Sequence, residues 1–131
     1  MKYLVPFSAL KNHVRLLSVK GQLKVDMNYD ELLEILKRLL LAVEVDEAWY
    51  RETYPDVDDA IKAGAYKNAQ QHFIENGYFE GRMPFPLQID EEWYLGTYAD
   101  VRSGVEQGLI GSAREHYVAH GYMEGRLPAQ L

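Results

Sequence analysis

The chain of 131 residues is 47% hydrophobic and 26% charged, carries a formal net charge of −6 and contains no cysteine. That length suits one domain or two very small ones, and the balance of apolar and charged residues argues against a disordered chain and against a membrane protein. Lack of cysteine removes disulfides, thiolate metal ligands and a cysteine nucleophile, and the acidic balance opposes nucleic-acid binding, which needs clustered Lys and Arg.

The opening residues, 1–10, carry one Lys and a broken apolar stretch rather than a secretory signal. The longest purely apolar run, Leu39–Val43, is far too short to span a bilayer. A cytoplasmic chain without membrane insertion is therefore expected. Charge is uneven along it: residues 1–44 hold seven Lys/Arg against five Asp/Glu (+2), and residues 45–131 hold seven against fifteen (−8). Such asymmetry suggests parts with different tasks.

In the first part, His13–Val19 and Gln22–Met27 read as strands flanking Lys20-Gly21, a two-residue hairpin turn, and Lys2–Phe7 can supply a third short strand. Asp30–Val43 then has helical spacing, with Leu32, Leu33, Ile35, Leu36, Leu39, Leu40 and Val43 apolar over more than one face. An isolated hairpin is marginal in water. Residues 1–44 are therefore expected to pack on the rest of the chain or on a second copy, and a homodimer formed through them is the reading favoured here.

The second part is a tandem repeat. A shift of 44 residues lays Val45–Leu87 on Ile89–Leu131 without a gap, and 18 of the 43 pairs are identical. Asp46 and Asp90 are N-caps, so a first helix covers about Glu47–Tyr54 and Glu91–Tyr98. Pro55 suits the first turn of a second short helix, which Gly64 and Gly108 end. A third opens at Asn68 and Ser112, each followed by Gln or Glu in capping-box spacing, and is expected to close at Gly77 and Gly121 as left-handed caps. The fold class is α+β, with segments 1–44 (hairpin and helix), 45–88 (repeat one) and 89–131 (repeat two).

The repeat reads Asp46-Glu-Ala-Trp-Tyr50, Tyr54-Pro-Asp-Val57, His72-Phe73 and Gly77-Tyr-Phe-Glu-Gly-Arg82-Met-Pro84 in the first copy. The second has Asp90-Glu-Glu-Trp-Tyr94, Tyr98-Ala-Asp-Val101, His116-Tyr117 and Gly121-Tyr-Met-Glu-Gly-Arg126-Leu-Pro128, departing at Ala99. This pattern resembles a repeat of bacterial polysaccharide-related proteins, where it accompanies glycosyltransferase domains, rhamnan-synthesis-type proteins and large surface proteins. The resemblance covers residues 45–131 and implies a setting in cell-envelope polysaccharide assembly or recognition. It implies no catalytic residue, and the chain has no room for a nucleotide-sugar domain.

Candidate ligand-binding residues are Arg82 and Arg126, His72 and His116, Trp49 and Trp93, and Glu80 and Glu124. Paired arginines suit an acidic sugar, and indole faces suit sugar rings. The same side chains have structural readings: the arginines can bridge to Asp56 and Asp100, and the histidines and tryptophans can pack beside the repeat's aromatics. Duplication favours these, because a shared fold needs the same polar residue twice whereas unrelated sites rarely do. His116 and His120 offer two metal ligands, but Asn76 stands at the second position in the first copy and no third ligand follows. No phosphate loop, nucleophile elbow or zinc motif is present, and no cofactor is implied. The expected function is a non-catalytic adaptor meeting a glycosyltransferase or other polysaccharide-assembly protein. Alternatives are a carbohydrate-binding module and a small enzyme or accessory subunit with a His/Glu/Arg site. A DNA-binding regulator is opposed by the −8 on the repeats.

Overall fold

The computed structural model describes residues 2–131 and leaves Met1 outside. It is an α+β protein, in which one antiparallel two-stranded hairpin is followed mostly by short helices. The chain divides into two compact units, one ending at Phe85 and the other spanning Pro86–Leu131. No helix among the described residues is long and apolar enough to cross a membrane.

In the first unit, α1 (Phe7–Lys11) precedes β1 (Arg15–Val19) and β2 (Gln22–Asp26). The third strand expected from Lys2–Phe7 does not form. Pro6 has no amide to give a ladder and sits instead at the N-cap of α1, while Val5 is buried. The turn between β1 and β2 places Lys20 at φ +50 and Gly21 at φ +78, the left-handed pair that a type I′ turn demands. Leu17 faces Lys24 across the ladder, and all ten strand residues are exposed. The following helix, α2 (Tyr29–Leu40), stops three residues short of the expected Val43, because the amides of Leu41, Ala42 and Val43 bond three residues back rather than four. Arg15 reaches Glu31 at 3.5 Å and so ties the hairpin to α2.

Repeat one follows as α3 (Glu47–Thr53), α4 (Pro55–Lys62) and α5 (Ala69–His72). Its helix starts are local chemistry. The Asp46 carboxylate accepts from the Trp49 amide (3.1 Å), and Asn68 accepts from that of Gln71 (2.8 Å); such caps contribute about 1 kcal/mol each. Glu47 goes further than complementing its own helix dipole, since its carboxylate also accepts the Ala69 amide (2.9 Å) and so holds α5 to α3. Gly64, at φ +85, reverses the chain after α4. Tyr50, Val57, Ala69 and Phe73 form the core, and α2 adds Leu40 against Ile74. In the second unit, α6 (Glu91–Thr97), α7 (Ala99–Glu106) and α8 (Ala113–His116) repeat the plan, with Tyr94, Val101, Ala113 and Tyr117 buried. Ala99 starts α7 where Pro55 starts α4.

Each third helix closes at its expected glycine, but not in the expected geometry. Each runs on into a wider π-helical turn, Phe73–Gly77 and Tyr117–Gly121. The Phe73 carbonyl takes the amide of Tyr78, five residues on (2.9 Å), and that of Tyr117 takes the amide of Tyr122 (2.8 Å). Gly77 and Gly121 are not the left-handed caps expected of them; that conformation belongs to Gly81 (φ +81) and Gly125 (φ +77). Their reason is space. A methyl group on Gly77 would collide with the Tyr50 hydroxyl, and one on Gly121 with that of Tyr94.

Two glycine substitutions within the second unit should therefore act in opposite directions. Gly121→Ala forces the Tyr94 ring aside and should cost about 1–3 kcal/mol. Gly96→Ala, in α6 with open space around the new methyl, should stabilise by roughly 0.5–1 kcal/mol through helix propensity. Urea-unfolding midpoints of the two variants check this; equal shifts would refute the steric assignment.

Candidate functional site

The polar residues common to both repeats form two clusters per repeat. In the first cluster, α3 sends Tyr50 into the core, where its hydroxyl lies 2.9 Å from Nδ1 of His72 on α5, above Gly77. Burial pushes the Tyr50 phenol well above its usual range and pulls His72 below 6.5. Both side chains are thus neutral at pH 7, and Nδ1 serves as acceptor for the phenol when the ring proton sits on Nε2. In the second repeat, the Tyr94 hydroxyl lies 2.8 Å from Nδ1 of His116.

The second cluster joins α4 to the loop after the π-turn. Arg82 gives Nη1 and Nη2 to the two oxygens of Asp56 (2.9 and 2.7 Å) and Nε to Glu80 (2.8 Å). Its guanidinium lies over the Tyr54 ring at 4.9 Å, and the Tyr54 hydroxyl accepts from the Met83 amide. Arg126 repeats this with Asp100 (2.9 and 2.8 Å), Glu124 (2.7 Å) and Tyr98 (4.9 Å). The arginine beside it holds the Asp56 carboxyl below the usual range and that of Asp100 down to about 2. All three guanidinium nitrogens are occupied, and two carboxylates against one cation leave each cluster with a net negative charge. An acidic sugar would meet repulsion here.

Trp49 and Trp93 are half-buried, edge-on to Tyr54 and Tyr98 at 6.2 Å. Each indole is shared between the surface of its own repeat and the aromatic stack. A cleft of about 560 Å³ in the first unit is lined by Glu44, Val45, Asp46, Gln70 and Phe85, with none of the candidate residues among them. No group of three or more His, Asp or Glu side chains placed to hold a metal ion occurs among the described residues.

The copies differ above the tyrosine–histidine pair. In the first, Tyr66 stacks edge-on against His72 (4.8 Å) and accepts from Asn76 (2.6 Å), which closes the site. In the second, Ile110 and His120 stand at those places, and a hollow of about 190 Å³ opens beside His116. The partners Tyr50 and Tyr94 are the residues that sequence reasoning missed as partners of the histidines. The usable signal was the separation of 22 residues, identical in both copies. Comparison with family models, curated proteins and solved structures finds no match.

Stability should depend on pH in two windows. Because the folded state lowers the pKa of His72, the unfolded chain takes up the proton first, so stability falls as pH drops below about 6.5. The carboxylates of Asp56 and Asp100 act lower: their contribution is present above about 4 and is lost as pH falls below it, for Asp100 towards 2. His72→Gln keeps an acceptor for Tyr50 without a titrating ring. It should flatten the change in urea midpoint between pH 7 and pH 5, and an undiminished slope would show that His72 is not its source.

Proposed function

We propose that the protein is a non-catalytic adaptor of bacterial cell-envelope polysaccharide production, cytoplasmic, that pairs with itself through residues 1–44 and offers its repeats to a polysaccharide-assembly protein. The polysaccharide setting rests on the resemblance of the repeat. The non-catalytic reading is supported by the separate engagement of the candidate acid–base groups: His72 and His116 with tyrosine, Arg82 and Arg126 with carboxylates. Half-burial of the two indoles against tyrosine edges favours an adaptor over a glycan platform.

The observation that carries self-association is the hairpin. Leu16, Leu17, Val19, Leu23 and Val25 are between 40% and 74% exposed in a sheet of only two strands, with an open edge on each. A hairpin with neither face covered is marginal by itself. The two edges are not equivalent. Antiparallel pairing of β2 with its copy about Lys24 would set Lys24 against Lys24, which is destabilising, and that lysine guards its edge. Pairing of β1 about Leu17 opposes Leu17 to Leu17 and Arg15 to Val19. A four-stranded sheet β2-β1-β1-β2 results, with Leu16, Leu23 and Val25 of both copies on one face. A standard interface takes about 20–30 residues from each partner, a number that residues 1–44 supply.

Sedimentation equilibrium of the wild-type chain should give a dimer. Leu17→Lys, which sets lysine against lysine at the two-fold, should weaken it by about tenfold or more, whereas Lys24→Ala should leave it intact. A monomer at all concentrations would sink the self-association. Cross-linking in the native host should recover a glycosyltransferase or another polysaccharide-assembly protein, and recovery of other classes alone would sink the polysaccharide setting.

A further inference from the structure

The repeats share a plan but not a cover. In the first unit, α2 lies along the π-turn after α5: Leu40 packs with Ile74, Lys37 pairs with Glu75 at 3.0 Å, and Gln70 donates to the Val43 carbonyl at 3.4 Å, just beyond the helix end. Ile74 is consequently only 9% exposed. In the second unit, Arg114, Val118 and Ala119 stand where Gln70, Ile74 and Glu75 stand in the first. Val118 is 56% exposed, and Arg114 and Ala119 are exposed beside it. No carboxylate among the described residues pairs with the Arg114 guanidinium.

We propose that this face of the second unit is the docking site for the last turns of an amphipathic helix from another protein, which sets a leucine on Val118 and an acidic side chain or its open carbonyls on Arg114. The proposal rests on the adaptor reading and deepens it by naming what the partner brings. Two features identify the occupant. The first unit is an internal template: on the equivalent surface sits the carboxyl end of an amphipathic, leucine-bearing helix. The second is charge. Where Gln70 offers a neutral amide to a carbonyl, Arg114 offers a full cation, which suits the partial negative charge of a helix carboxyl terminus and an acidic residue in its last turn. The same substitutions exclude a second copy of α2. Its Lys37 would lose Glu75 and meet Ala119 in its place.

The probe is a synthetic peptide of residues 29–43 carrying Lys37→Glu, titrated into the ¹⁵N-labelled full-length protein and followed by amide chemical shifts. Saturable shifts centred on Arg114, Val118 and Ala119 are expected, weakened about tenfold in Val118→Asp. That side chain is exposed, so the variant folds. Absence of shifts at those amides with millimolar peptide would overturn the proposal, as would shifts centred on Ile74 instead. Equal binding of the peptide with native Lys37 would overturn the exclusion of a second copy. If the titration fails while host cross-links map elsewhere on the chain, this face is rejected and the adaptor reading stands. Failure of the cross-links and of dimerisation rejects the adaptor itself.

Discussion

Each repeat closes around a buried tyrosine hydroxyl. Tyr50 and Tyr94 are fully buried, and a phenol in such a place needs a partner, since an unpaired buried hydroxyl costs about 1–3 kcal/mol. The histidine of the third helix supplies it, and the glycine five residues later leaves room for the oxygen. The π-helical turn carries that glycine beneath the hydroxyl and displaces the left-handed reversal to the next glycine, four residues on. From that reversal the chain enters Arg82 or Arg126, whose fork returns to the start of the second helix. The aromatic core, the wide turn and the ion-pair clamp are therefore one construction, used twice.

That construction absorbs the side chains that look chemical in the sequence. A histidine bonded to a buried phenol, an arginine gripped by two carboxylates and an indole laid against a tyrosine are each occupied within their own unit. What stays exposed is of another kind. Apolar strand residues lie on a hairpin with two open edges, and the face on Val118 is the one that α2 covers in the first unit. Exposed apolar surface of this sort is a mark of association rather than turnover. The difference between the copies is thus more informative about partners than their likeness is.

Much of the fold was legible because it is decided over a few residues. Asp46, Asp90, Asn68 and Ser112 start helices through bonds to amides three positions on, and Lys20-Gly21 turns the hairpin through its own dihedrals. The arginine clamp was also foreseeable as one of two readings, because Asp56 and Arg82 recur together as Asp100 and Arg126. The role of Gly77 was not. A glycine near a helix end reads as a left-handed cap, and the demand that put it there comes from Tyr50, 27 residues earlier in the chain. The strand expected at Lys2–Phe7 does not form for a local reason, the missing amide of Pro6. The uncovered face on Val118 was beyond reach, since both repeats have a β-branched residue there and only α2 distinguishes them.

The central claim is that the repeated polar residues hold the fold rather than wait for a ligand, and the arginines decide it. Residues kept for binding commonly burden a folded protein, so their removal leaves stability unchanged or improves it. Residues that clamp a loop to a helix do the reverse. Urea unfolding of Arg82→Met and Arg126→Met at neutral pH is the direct measurement. A structural clamp predicts a lower midpoint for each variant; an unchanged or higher midpoint would contradict it and return the arginines to the list of binding groups.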